Sequence, residues 1–328
     1  MRMRIVYGLN NLPPVCKENL FLALGNFDGV HKGHQAVIKT AVKTAKRHEG
    51  ASAALIFDPH PAQVIRSEGN LLLLSDLEAK AEIFNALGLD YMIVEPFNKN
   101  IALFLPEEFV KIFLKGKIGV KGVITGFDYT FGREATGTIS DLKEWGRKLN
   151  FGVQVCSPVK VEGKQVSSSA IRELIAEGKV EQSSKLLNYY YFRHGKVVTG
   201  AGRGKDLLGF PTANIRFDPS MVLPGRGVYY TIVKMDEQLL IGAANIGVRP
   251  TFPHQDLAVE VNIMDYHGDL YGRMLTIFFI CRIRGEVAFS STDELKKQIG
   301  ADIEMIRQKA AEPLPPLMPQ GDKHEITK

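Results

Sequence analysis

Ten residues constrain this chain more than any others: Gly25-Asn26-Phe27-Asp28-Gly29-Val30-His31-Lys32-Gly33-His34. An unbroken apolar run, Leu20-Phe21-Leu22-Ala23-Leu24, leads into them, and residues 35–48 follow with Val37, Ile38, Ala41, Val42 and Ala45 at helical spacing. The order is strand, tight turn, helix. Such a junction presents the unpaired N–H groups and the positive dipole end of a helix, which suits a polyphosphate. His31 and His34 stand three apart, so a helix that starts near them turns both imidazoles to one side. Gly33, with no Cβ, lets an anion approach the backbone. A strand-to-helix turn with two exposed histidines is the plainer alternative, but a pair flanking a glycine at this kind of turn favours binding.

His31-x-Gly33-His34 after a strand resembles the signature of the nucleotidyltransferase superfamily. The longer G-N-F-D-G-V-H-x-G-H is similar to the form in bacterial bifunctional riboflavin kinase/FMN adenylyltransferases, and the resemblance can be followed from about Leu20 to Arg307. It implies catalytic roles for His31 and His34 and nucleotide contacts at Gly25, Phe27, Asp28 and Gly33.

The 328 residues suffice for two domains of ordinary size, and 45% hydrophobic with 23% charged residues is the composition of a globular protein in water. The formal net charge of +5 is spread along the chain without basic runs, which suits small anionic substrates and not a nucleic-acid partner. Cys16, Cys156 and Cys281 are odd in number and in no ligand-like spacing, so reduced thiols and a cytoplasmic location are expected. No uncharged apolar run is long enough to span a bilayer, and no membrane partner is expected. Nothing in the chain fixes an oligomeric state.

A second buried strand is expected at 53–57, ending in Asp58-Pro59-His60-Pro61, where two prolines stiffen a loop at a strand's carboxyl end. Ligands collect at such ends in open parallel sheets, though a rigid surface turn looks the same. The resemblance places F-D-P-H-P here, with Asp58, Pro59 and His60 toward flavin. A helix at 76–87, a strand at 91–94, a helix at 106–114 opened by proline and a strand at 120–125 continue the alternation. This is the pattern of a parallel sheet with helices on both faces.

The last of these strands ends in Gly126-Phe127-Asp128-Tyr129-Thr130-Phe131-Gly132-Arg133. The family carries G-x-D/N-F-x-F-G there and then a basic loop, whereas this chain continues Glu134-Ala135-Thr136-Gly137-Thr138. Asp128 reads as a turn residue or a binding residue, and its strand-end location favours binding. Ser167 to Ser169 are natural N-caps for a helix over 170–177. Capping does not account for Arg172, since a cation in a first turn opposes the dipole unless an anion is near. The family binds nucleotide phosphates at S-S-S/T-x-I-R, which implies that role for Ser168 and Arg172.

A helix at 179–187 and an aromatic cluster, Tyr189-Tyr190-Tyr191-Phe192, mark a boundary. The cluster is read most simply as packing between domains, with flavin stacking as the alternative. From residue 195 the pattern changes to short strands at 196–199, 228–235, 239–245, 258–266 and 274–283, then a helix at 292–309. That predicts a small antiparallel barrel closed by a helix. The chain is thus expected to be α/β followed by all-β: a Rossmann-like nucleotidyltransferase domain over 1–182, a riboflavin kinase barrel over 183–310 and a disordered tail over 311–328.

Within the barrel, Gly200-Ala201-Gly202-Arg203-Gly204-Lys205 runs into Gly209-Phe210-Pro211-Thr212-Ala213-Asn214. This is neither a Walker loop nor a dinucleotide fingerprint. It resembles the riboflavin kinase motif, which implies nucleotide contacts at Gly202, Arg203, Gly204 and Lys205 and Mg²⁺ at Thr212 and Asn214. The loop is one residue longer than the common form. In Val259-Glu260-Val261-Asn262, alternation puts Glu260 and Asn262 on one face. A Glu in a strand is most often solvent-facing, but the family's catalytic base falls on Glu260, and Asn262 stands where a flavin-side histidine is frequent.

The resemblance implies that riboflavin is phosphorylated by ATP to FMN, and that FMN then receives AMP from a second ATP, giving FAD and pyrophosphate with Mg²⁺ as cofactor. Two other readings stay open: a kinase whose adenylyltransferase half is impaired, and a flavin- or nucleotide-binding regulator without turnover. A pure binder has no need of Glu260, His31 and His34 together.

Overall fold

The computed structural model describes residues 2–14, 19–65, 71–199, 212–248 and 257–321. The chain divides into two compact units, one of Met1–Ser168 with Pro319–Lys328, the other of Ser169–Met318.

The first unit is built on a six-stranded sheet of β1 (Arg4–Tyr7), β2 (Leu20–Leu24), β3 (Ala51–Asp58), β4 (Tyr91–Pro96), β5 (Gly122–Gly126) and β6 (Gly152–Cys156). Their order is β1-β4-β3-β2-β5-β6, and every pairing is parallel. All five residues of β2 are buried, as a strand covered on both faces requires. The edge strand β1 is mostly exposed and β6 alternates between exposed and half-buried, so neither has the continuous buried run by which the inner strands are recognised. Helix α1 (Lys32–Arg47) links β2 to β3 and buries Val37, Ile38, Ala41, Val42 and Ala45. Helices α2 (Leu77–Ala86) and α3 (Ile139–Leu149) are capped by Asp76 and Thr138. The helix expected over 106–114 begins as Pro106–Glu108 and continues in wider π turns over Phe109–Ile118, ending at Gly119 with φ 76°.

Strand order decides where a ligand fits. Leu24 pairs with Leu55 on one side and Thr125 on the other, so the carboxyl ends of β3, β2 and β5 lie side by side. From β2 the chain builds outward through β3 and β4, then returns to add β5 on the opposite flank. The crevice outside β2 and β5 is therefore the switch point of the sheet. A short hairpin of β7 (Lys160–Val161) and β8 (Lys164–Gln165) follows the sheet.

At the boundary of the units stands α4 (Ser168–Ala176), followed in the second unit by α5 (Val180–Leu187). The Gly225 N–H donates to the Ile175 carbonyl (3.0 Å), and the Arg282 N–H to Glu181 Oε1 (3.2 Å). At Gly178, φ 78°, a Cβ would lie 2.5 Å from the Tyr229 hydroxyl, so the chain there presses on the barrel wall. Residues 169–187 thus pack with the barrel, ahead of the 182/183 division read from the sequence.

The barrel is closed and antiparallel, in the order β10-β13-β12-β11-β14-β9. Its strands are β9 (Phe192–Val198), β10 (Ala213–Arg216), β11 (Gly227–Met235), β12 (Gln238–Val248), β13 (Leu257–Ile263) and β14 (Met274–Arg284). Closure leaves no unpaired edge. Strand β10 is not marked by the sequence because it is four residues long and follows directly on a glycine-rich stretch. Tyr189, Tyr191 and Phe192 are buried, with Tyr191 against Phe279 and Phe192 against Phe278. They are core of the barrel unit. Helix α6 (Thr292–Ala310) is held by Asp302, which accepts from Arg284 Nε (3.0 Å) and Nη2 (2.9 Å) and from Gln298. The stretch expected as a disordered tail is hydrogen-bonded as far as Gly321: the Leu317 carbonyl accepts from Tyr190 N–H, and Gly321 N–H donates to the Ala86 carbonyl.

Candidate functional sites

In the first unit the turn after β2 brings its residues together. Helix α1 starts at Lys32, earlier than the apolar spacing alone marks, so His31 is its N-cap and His34 lies in its first turn. The His34 N–H donates to His31 Nδ1 at 3.3 Å. With Nδ1 accepting, the proton of a neutral His31 ring sits on Nε2, which leaves that atom as the donor. The two rings stack at 3.7 Å and 12°. At Gly33 a Cβ would come within 3.2 Å of the His31 ring, so the glycine is what lets that ring fold back over the helix start. Phe27, at φ 50°, lies over Gly25 and meets the His34 ring edge-on at 5.3 Å.

Burial dominates the electrostatics here. It pushes His31 down to about 4 from 6.5, against the opposing pull of its own backbone hydrogen bond and of the Asp28 and Asp128 carboxylates. His34 is held well below the ordinary histidine range by burial first, then by His31 and Lys80. Both rings are neutral donors at physiological pH. His34 Nδ1 is buried and has no hydrogen-bond partner among the described residues, an orphan of the kind a ligand or water satisfies.

Asp28 is only 2% exposed, and its Oδ1 accepts from the Leu74 (2.8 Å) and Ser75 (3.2 Å) N–H groups. Its carbonyl accepts from Ser168 Oγ at 2.9 Å, and the Gly29 N–H donates to Ser75 Oγ. Asp28 and Ser168 thus hold the turn's shape. Asp128 is exposed just past the carboxyl end of β5, close enough to act on His31. At the end of β3, Asp58 precedes Pro59 through a cis peptide, and buried His60 accepts from the Ala62 N–H (3.2 Å). Arg172 lies on α4 in the second unit.

In the barrel, register does the assembling. Glu260 on β13 pairs with Asn214 on β10 and with Asn245 on β12, so the three side chains share one face. Along β13, Val259, Val261 and Ile263 are buried while Glu260 and Asn262 are half-exposed on the other face, as alternation predicts. Thr212 and Asn214 line a cavity of about 370 Å³ with Thr199, Tyr266, Asp269 and Tyr271. Gly202, Arg203, Gly204 and Lys205 lie outside the described residues. Asn245 went unnoticed in the sequence; a polar residue in an otherwise apolar strand was its one signal. Lys80, buried beside the histidine turn, was missed as well.

Comparison with known proteins places both halves of the chain in one family. Residues 14–170 match the model of the FAD synthetase family and residues 187–310 that of riboflavin kinase. The bifunctional riboflavin kinase/FMN adenylyltransferase of Listeria monocytogenes is 37% identical over 87% of this chain and 90% of its own. That of Pseudomonas fluorescens is 34% identical over 94% of this chain and 98% of its own. A crystal structure described as a macrolide-efflux protein from Streptococcus pneumoniae superposes with a TM-score of 0.83 at 29% identity, covering 94% of this chain and 99% of that one. That description applies to that protein; the likeness bears here on the fold. Among the described residues no helix is long and apolar enough to cross a membrane. With a histidine-bearing turn at the switch point of a parallel sheet and a Glu–Asn face on a closed barrel, the chain belongs to the family of bifunctional riboflavin kinase/FMN adenylyltransferases.

Proposed function

We propose that the two activities divide between the two sites: the barrel phosphorylates riboflavin and the histidine turn adenylylates FMN. The overall conversion is riboflavin to FMN to FAD at the expense of two ATP. The observation that carries the division is the stacked His31–His34 pair at the mouth of one sheet and the Glu260–Asn214 register pair on a different β-structure.

In the barrel, Glu260 takes the proton from the 5′-hydroxyl of riboflavin as that oxygen attacks the γ-phosphorus of ATP and ADP leaves. Asn262, on the same face of β13, is assigned to the flavin. Thr212 and Asn214 offer a hydroxyl and an amide oxygen, hard donors of the kind Mg²⁺ takes, so the residues present fit that ion. When bound, Mg²⁺ neutralises charge on the phosphates. The glycine-rich stretch with Arg203 and Lys205 is assigned to the nucleotide.

At the turn, an oxygen of the FMN phosphate attacks the α-phosphorus of ATP, a P–O bond to FAD forms and the bond to pyrophosphate breaks. His31 and His34 donate hydrogen bonds to the α- and β-phosphate oxygens as the leaving group gains charge, backed by the N-terminus of α1. Gly25, Phe27 and Gly33 shape the floor, Asp128, Ser168 and Arg172 are assigned to the nucleotide, and Asp58-Pro59-His60 to the flavin. Neither step needs a covalent enzyme intermediate, because each nucleophile belongs to a substrate. A cytoplasmic setting is proposed on Cys156 and Cys281, both free thiols.

The test is incubation with riboflavin, ATP and Mg²⁺, with FMN and FAD resolved by chromatography, then repeated in EDTA. Both products should form with Mg²⁺ and neither without a divalent ion. Full activity of either step in EDTA overturns the metal requirement, and FMN alone in the complete mixture overturns the two-site reading.

A further inference from the structure

Lys80 is 4% exposed and unused by the chemistry above. It lies on α2 one turn before Phe84, hence on the same face. Phe84 packs edge-on against Phe27 at 5.6 Å, and Phe27 meets His34 at 5.3 Å. The start of the helix is fastened to the same turn: Leu74 and Ser75 donate to Asp28, Gly29 donates to Ser75, and Asp76 caps α2 through the Ala79 N–H. At Gly29 a Cβ would meet Leu74 at 2.6 Å, so the two segments are in direct contact. This packing brings buried Lys80 close enough to the histidine turn for its charge to act on His34.

His31, buried, and His34, half-buried with its Nδ1 enclosed, stack at 3.7 Å and would be two like charges at close range if both were protonated. They serve as neutral donors, so the positive charge a polyphosphate needs has to come from elsewhere. The helix N-terminus supplies part of it. We propose that Lys80 is a positioning residue for adenylyl transfer, whose buried ammonium supplies the fixed positive charge behind the turn that the two stacked imidazoles do not carry. Asp28, Asp76 and Asp58 surround it and favour its charged form, against burial, which draws it below the ordinary lysine range. The charges acting on the histidine pair are Lys80 on His34, and Asp28 and Asp128 on His31. The inference rests on His31 and His34 being the phosphate donors.

Lys80→Met keeps the length of the chain without the charge, and Lys80→Arg keeps the charge. FMN-to-FAD conversion in Lys80→Met should lose about tenfold or more in kcat/KM for ATP. Its acid limb should move to higher pH, because His34 without a neighbouring cation protonates more readily. Lys80→Arg should recover most of the rate and the parent's pH profile, and riboflavin phosphorylation should stay within twofold in both. Lys80→Met with parental melting temperature, adenylyl transfer within twofold and an unmoved acid limb overturns the proposal. Where Lys80→Met does not fold, ¹⁵N spectra of the parent with a non-hydrolysable ATP analogue decide: neutral rings for both histidines at about pH 6.5 support it, an imidazolium at either position overturns it. His34→Ala assayed alongside separates the two layers. If His34→Ala leaves adenylyl transfer intact the donor reading fails; if it abolishes transfer while Lys80→Met does not, only the role of Lys80 fails.

Discussion

The two sites are made in opposite ways. The histidine turn takes His31, Gly33 and His34 from a single helical turn and draws both rings far enough from water to hold them neutral, with neighbours such as Asp28 spent on holding the backbone. The barrel face takes Asn214, Asn245 and Glu260 from three strands, leaves Glu260 half-exposed, and owes its geometry to register alone. A leaving-group donor works best where water is excluded and its field is undiluted. A base must meet a substrate hydroxyl that comes and goes, and needs access.

The sharpest way to break this comparison is to disable one site at a time. His34→Ala should slow FMN adenylylation by about a hundredfold or more while riboflavin is still phosphorylated, so FMN accumulates. Glu260→Gln should do the converse, leaving riboflavin largely unconsumed while added FMN becomes FAD, again with a loss of roughly a hundredfold. Chromatography of the three flavins reads both. Equal loss of the two steps in either variant, if folded, would mean that the sites are not separate.

Burial of the histidines also separates the units by pH. His31 takes up a proton near 6.5 when unfolded but only at about 4 when folded, so between those values the unfolded chain binds the extra proton. The stabilisation is therefore complete above pH 6.5 and is lost as the pH falls toward 4, by an amount on the order of 3 kcal/mol for His31. The protein's one tryptophan, Trp145, lies on α3 and reports the first unit. Its urea midpoint, measured without ligand, should fall from pH 7 to pH 5, and a flat midpoint would refute the neutral, buried pair.

The smallest effect concerns the boundary. The contacts of Ile175, Gly178 and Glu181 with the barrel imply that a chain starting at residue 169 melts higher than one starting at 184, by roughly 5 °C. Both should make FMN and no FAD. Coincident melting would return 169–183 to the first domain.

Legibility followed the same divide. The inner strands β2, β3 and β4 showed as apolar runs, and α1 as a helical stripe, because burial on both faces or on one face writes a period into the sequence. The edge strands β1 and β6, not covered on both faces as the inner strands are, wrote none. The helix at 106 was legible as a helix, but its π turns were not, since hydrogen-bond offset leaves no compositional trace over ten residues. The aromatic run 189–192 was read as interface because aromatics suit either surface; only the fold shows it facing Phe278 and Phe279.

The sequence by itself carried the motifs on which the two proposed chemistries rest: two histidines on either side of a glycine after a strand, and a glutamate in an alternating strand downstream of P-T-A-N. These survive as motifs because their groups are fixed by local backbone, within one turn or one strand. Only the tertiary structure decided that the turn sits at the sheet's switch point, that Asn214 and Asn245 flank Glu260, and that a lysine from α2 lies beneath the histidines. Those facts depend on strand order, register and helix packing, each set by contacts between residues distant in the chain, and no local spacing encodes them.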